Sequence, residues 1–151
     1  MKKIFFNHIP KTAGTTFYEY ISRFYKESEI YPKSSLGGYE SISKFDEVIL
    51  EDIKFIANHK NFREYLDDSW SVITFVRNPK DRLISLYNHW KNWTDEEIQN
   101  APTGEEVKNL KKLFKEKSLT QVLKLNDPLI RFHFVNGLAK NLIPLNKHHL
   151  I

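Results

Sequence analysis

The sequence predicts an α/β fold in which a parallel sheet is flanked by helices on both faces. Three observations carry this. Lys3–Ile9 is a short apolar run stopped by Pro10, and after a small-residue turn Phe17, Ile21, Phe24 and Tyr25 recur at helical spacing. Ser71–Val76 is apolar and β-branched, too short for an independent helix, and leads into Asn78-Pro79, a helix start. Strands that are each followed by a helix pair in parallel, because the crossover between parallel neighbours needs room for a helix.

Taken in order, Lys3–Ile9 is the first strand, with Ile4, Phe5, Phe6 and Ile9 apolar. Pro10 lacks an N–H and cannot extend a central strand, so Lys11–Thr16 is a turn. Residues 26–43, with Ser, Pro and Gly37-Gly38, read as a loop or lid. Short helices are expected over Lys44–Leu50 and Phe62–Leu66, on either side of a second strand at Lys54–His59. The helix after Ser71–Val76 runs from Lys80 to Trp93. Its buried face is Leu83, Leu86, Tyr87 and Trp90, and Arg82, Ser85 and His89 lie on another face. Thr103–Lys117 is a further helix: Thr103 and Glu106 have capping-box spacing, Val107, Leu110, Leu113 and Phe114 form its apolar side, and its lysines read as a solvated face. Ser118–Leu125 and Asp127–Asn136 are two more short helices, the second closed by Gly137; residues 138–151 carry no pattern.

A chain of 151 residues fits one domain, 1–151, with enough core to fold alone. The formal charge of +4 and a pI near 9.1 suit a polyanionic ligand. Basic and acidic residues are mixed and form no aromatic-basic platform, so nucleic acid is not the expected partner. There is no cysteine, which excludes disulfides and thiolate metal sites. The apolar run at the start is too short for a signal peptide or a membrane span, so a soluble, cytoplasmic protein is expected. Oligomeric state leaves no mark in the sequence.

Strand, small-residue turn, helix is the layout that aims backbone N–H groups at an anion. Ala13 and Gly14 let the backbone come close, Lys11 adds a mobile charge, and Thr15 and Thr16 add hydroxyls. The sheet is therefore P-loop-like, although the nucleotide P-loop places its lysine late, after a second glycine. In open parallel sheets the ligand sits off the carboxyl ends of the strands. Lys11–Thr16, Asn58–His59 and Arg77–Ser85 all reach that edge. A nucleotide-hydrolysing protein would end its second strand in a metal-binding Asp. Arg77 stands there instead, which suits a second phosphate. His59 is the candidate for proton transfer. His8 is expected to pack at the strand end, and His133, His148 and His149 show no metal spacing.

HIPKTAGTT at 8–16 resembles the 5′-phosphosulfate loop of carbohydrate sulfotransferases that use 3′-phosphoadenosine 5′-phosphosulfate (PAPS). VRNPKDRLISLYNH at 76–89 resembles the same family's 3′-phosphate-binding strand and helix. FIANHK at 55–60 resembles the segment carrying its catalytic histidine, and SLTQVLKLNDPLIRFHFVNG at 118–137 its later helical region. The likeness is closest to the heparan 2-O-sulfotransferase and related membrane-bound Golgi enzymes.

The resemblance implies sulfuryl transfer from PAPS to a hydroxyl of an acceptor, a carbohydrate, without a metal. Lys11 and His59 would be catalytic, Lys11 neutralising the departing phosphate and His59 taking the acceptor proton. Lys11, Thr12, Ala13, Gly14, Thr15 and Thr16 would hold the 5′ end of the donor, and Arg77 and Ser85 its 3′-phosphate. Two departures from the family pattern are expected to matter: the sequence begins at the first strand, without the Golgi relatives' membrane anchor, as in a soluble short version, and it stops before the family's C-terminal strand and helix, being either naturally minimal or truncated. Two readings compete: a P-loop-like nucleotide kinase or NTPase, favoured by magnesium-dependent ATP binding, and a non-catalytic nucleotide- or glycan-binding module.

Overall fold

The computed structural model describes residues 2–31, 51–59, 66–100, 105–131 and 134. The helices expected at Lys44–Leu50 and over most of Phe62–Leu66, the Thr103 cap, Gly137 and the tail lie outside the described residues. The chain divides into two compact units: 1–76 with 139–151, and 77–138.

The first unit holds four parallel strands in the order β2-β3-β1-β4. These are β1 (Lys3–Asn7), β2 (Ile30–Tyr31), β3 (Phe55–Asn58) and β4 (Trp70–Ile73). Central β1 pairs with β3 in the register Ile4↔Phe55 to Asn7↔Asn58, and with β4 from Lys3↔Trp70 to Phe6↔Ile73. Every residue of β3 is buried, as are Phe5, Phe6 and Asn7 of β1. Strands covered on both faces read as continuous apolar runs, which is why these segments were legible without alternation.

Side-chain alternation splits the core into two layers. Phe5, Tyr31, Ile56 and Trp70 pack on one face with Ile53 and Leu66. Phe6, Ile30, Phe55 and Ala57 pack on the other, together with Phe17, Tyr18 and Ile21 of α1 (Gly14–Ser22) and Tyr25 beyond its end. Each fully buried Phe or Ile contributes about 1.5–3 kcal/mol. Tyr18 and Tyr25 both stack on Phe55, at 5.7 and 5.5 Å between ring centroids. Phe24 departs from the expected stripe. The helix ends at Ser22, so Phe24 swings out to 52% exposure, against Tyr20.

Two further corrections concern strands. Within the expected loop, a single 3-10 turn at Glu27–Glu29 leads into the two-residue strand β2, tied down where Lys54 pairs with Glu29. The fourth strand stops at Ile73, short of Val76. Beyond it the Thr74 hydroxyl donates to the Asn7 carbonyl at 2.8 Å, so a side chain takes over from the ladder.

The second unit is helical. In α2 (Pro79–Lys91) the Asn78 side chain accepts from the N–H groups of Lys80 and Asp81, and Pro79 takes the first position, as the sequence predicts. Asp81 in the first turn and His89 and Lys91 in the last complement the helix dipole. The remaining helices are α3 (Asp95–Asn100), α4 (Glu105–Glu116), α5 (Leu119–Leu123) and α6 (Pro128–Ile130). Leu86, Tyr87, Trp90, Leu110, Phe114, Val122, Ile130 and Phe134 form the core of this unit. Arg82 is not on an open face: it is 2% exposed, and its Nη2 donates to the Phe134 carbonyl at 3.1 Å. Lys111 also leaves the expected solvated face. It is 3% exposed, with Nζ 3.3 Å from the Trp93 ring centroid and 5.8 Å from that of Trp90. Burial lowers its pKa to about 8.

Candidate active site

The carboxyl ends of β1 and β3 lie side by side, with Asn7 paired to Asn58 and the His8 N–H donating to the Asn58 carbonyl at 2.8 Å. Each strand delivers one piece of the candidate site. From β1 the chain runs through His8, Ile9 and Pro10 into the turn 11–13 and then α1. From β3 it runs directly to His59.

The turn is unusual in its backbone. Lys11 and Ala13 both have positive φ, 69° and 67°, although neither is glycine. A left-handed non-glycine residue costs about 1–3 kcal/mol and persists only where its surroundings impose it. Two buried positions do so. Thr12 is buried and its hydroxyl donates to the Ile9 carbonyl at 2.7 Å, closing the turn. Gly14 is buried against His8: a Cβ there would lie 1.9 Å from His8 Cδ2 and 2.0 Å from Nε2. Glycine at 14 is therefore required by the neighbouring imidazole.

Between these fastenings Ala13, Thr15 and Thr16 are exposed and Lys11 is half-buried. Ala13 is the N-cap of α1 and its methyl group makes no hydrogen bond to the first turn, which also carries no acidic residue. The N–H groups of that turn, with the positive end of the helix, form a ready site for an oxyanion. Lys11 sits one turn of chain before them.

His59 is half-buried, and its Nδ1 lies 2.8 Å from the His8 carbonyl oxygen. A carbonyl only accepts, so Nδ1 carries the hydrogen and Nε2 is the basic nitrogen of the neutral ring. The two imidazoles face each other at 4.4 Å between centroids, tilted by 32°. His8 itself is buried, stacked on Phe6 at 5.4 Å. Its burial, and then the charges of His59 and Lys11, push its pKa down to about 3.

The structure thus brings together Lys11, Thr12, Ala13, Gly14, Thr15, Thr16 and His59. Arg77 and Ser85 belong to the helical unit, where Arg77 is exposed just before the Asn78 cap and Ser85 is half-buried on α2. Sequence reasoning gave His8 only a packing role. The acceptor it offers His59 is a main-chain oxygen, which no residue pattern announces.

No helix among the described residues is long and apolar enough to cross a membrane. Neither a curated protein nor a solved structure gives a significant match to the chain. The model of the Sulfotransferase family matches residues 1–134, nearly the whole of the 151. With that match, the chain belongs to the sulfotransferase family.

Proposed function

We propose that the protein transfers a sulfuryl group from PAPS to a hydroxyl of a carbohydrate acceptor. The observation that carries this reading is the shared strand edge. An oxyanion-ready helix start with Lys11 beside it, and a histidine whose Nε2 is the basic nitrogen, are delivered by the paired ends of β1 and β3. The residues fit a phosphosulfate: the first turn of α1 has no competing carboxylate, and the turn before it takes its shape from two left-handed residues, Lys11 and Ala13.

When bound, the donor supplies a sulfuryl group on a phosphate leaving group. The chain's part is positioning and charge. The backbone of Thr12, Ala13 and Gly14, with the hydroxyls of Thr15 and Thr16, holds the 5′-phosphate. His59 Nε2 takes the acceptor proton as that oxygen forms its bond to sulfur. Lys11 neutralises the phosphate oxygen released as the sulfur–oxygen bond to the donor breaks. Arg77 and Ser85 take the 3′-phosphate, an assignment that rests on the sequence resemblance.

Titration calorimetry with adenosine 3′,5′-bisphosphate, run beside ATP with magnesium, tests the donor class. Binding of the bisphosphate in preference to ATP is expected. Magnesium-dependent ATP binding with no response to the bisphosphate would replace this reading with the kinase one.

A further inference from the structure

The proposed reaction leaves the His8 side chain without a task, yet its surroundings are built around it. The residue is 6% exposed. One ring face stacks on Phe6, with an interplanar angle of 19°, and the ring lies 4.4 Å from that of His59. Its Cδ2 and Nε2 occupy the space that any side chain at position 14 would enter. Its Nδ1 is buried with no hydrogen-bond partner among the described residues. A buried nitrogen without a partner is destabilising, so histidine is a poor choice here if filling volume were the only demand. Among the described residues, burial and then the charges of His59 and Lys11 act on it and keep it neutral. A neutral ring can lie against His59 while that residue takes a proton; a second imidazolium could not.

We propose that His8 is a positioning residue for His59. Its main-chain carbonyl selects the tautomer, and its ring, braced between Phe6 and Gly14, is the wall that holds the His59 imidazole with Nε2 as the basic nitrogen. The inference rests on the assignment of His59 as the proton acceptor. It makes the tautomer of His59 depend on Gly14, acting through His8.

The test is a long-range proton–nitrogen correlation spectrum of the full chain labelled with ¹⁵N-histidine, at mildly alkaline pH and without donor or acceptor. The His59 signals are those lost in His59→Gln. The wild type is expected to show one His59 tautomer, with its hydrogen on Nδ1. His8→Ala and Gly14→Ala are each expected to lose that single form and show a mixture. A wild-type His59 with its hydrogen on Nε2 overturns the proposal, as does an unchanged Nδ1 tautomer in both variants. Should neither variant fold, the wild-type spectrum decides alone. No donor enters the measurement, so absence of sulfuryl transfer would count against the proposed reaction and leave this result standing.

Discussion

The imidazole of His59 donates its Nδ1–H to the main-chain carbonyl of His8 across 2.8 Å, joining the residues that follow β3 and β1. The acceptor is a backbone atom held by the pairing of the two strand ends, and the His8 ring lies against the same imidazole at 4.4 Å between centroids. In the proposed reaction the other nitrogen, Nε2, takes the proton of the acceptor hydroxyl, and the consequences of that proposal can be measured.

Removing the imidazole tests its role directly. His59→Ala is expected to lower turnover by about 10²–10⁴, the usual loss for a general base. Adenosine 3′,5′-bisphosphate should bind it nearly as well as it binds the wild type. Steady-state rates and a calorimetric titration of the same preparation separate the two effects. Equal turnover of variant and wild type would rule out the base assignment.

Arg77 is expected to show the opposite pattern. Arg77→Ala should weaken bisphosphate binding, because the guanidinium proposed to pair with the 3′-phosphate is lost. Calorimetry reads this as a raised dissociation constant. An unchanged constant would reject the 3′-phosphate role.

Gly14 carries a stability prediction that needs no ligand. Gly14→Ala places a methyl group 1.9 Å from His8 Cδ2, and the buried ring has little room to retreat. Overpacking of this kind costs about 1–3 kcal/mol. In a chain of this size each kcal/mol lowers Tm by about 2–4 °C. The same substitution made in a His8→Ala background should cost less, since the clashing ring is gone, and urea unfolding of the four proteins gives the coupling energy. Purely additive effects would show that the two residues do not press on each other.

His8 also makes stability depend on pH. Its ordinary pKa of 6.5 falls to about 3 in the folded protein, first through burial and then through His59 and Lys11. Between those values the unfolded chain holds a proton that the folded one does not. Its contribution is therefore fully present above pH 6.5 and is lost as pH falls toward 3, at up to about 1.4 kcal/mol per pH unit. Urea midpoints measured from neutral pH downward should fall, and His8→Phe should flatten that slope. Parallel slopes would place the acid sensitivity elsewhere.

The elements that the sequence made legible are those whose signals are local. β1, β3 and β4 are apolar runs ended by Pro10, His59 or the Asn78-Pro79 pair, and α2 carries its own cap and first-position proline. β2 is only Ile30–Tyr31, and nothing but its pairing with Phe55 and Ile56 makes it a strand. α3 carries a local signal as well: Thr94 and Glu97 form a reciprocal capping box, each side chain accepting from the other's N–H. Helical periodicity counts lysine as polar and so puts Lys111 on a solvated face. Its burial against Trp90 and Trp93 depends on residues about twenty positions away in sequence, and a desolvated ammonium over an indole is stabilised in a way that periodicity does not register. At the candidate site the residue types were readable and the turn was expected. The left-handed backbone at Lys11 and Ala13, the ring that makes Gly14 necessary and the His8 carbonyl are properties of the folded main chain.

The most direct test of the proposed chemistry is transfer of labelled sulfuryl from PAPS to carbohydrate hydroxyls by the full chain, with wild type and Lys11→Ala assayed side by side. Transfer by the wild type is expected, with a fall of at least about 10²–10³ in the variant, the scale on which a donor to the developing charge is missed. Transfer by Lys11→Ala at the wild-type rate would contradict the account.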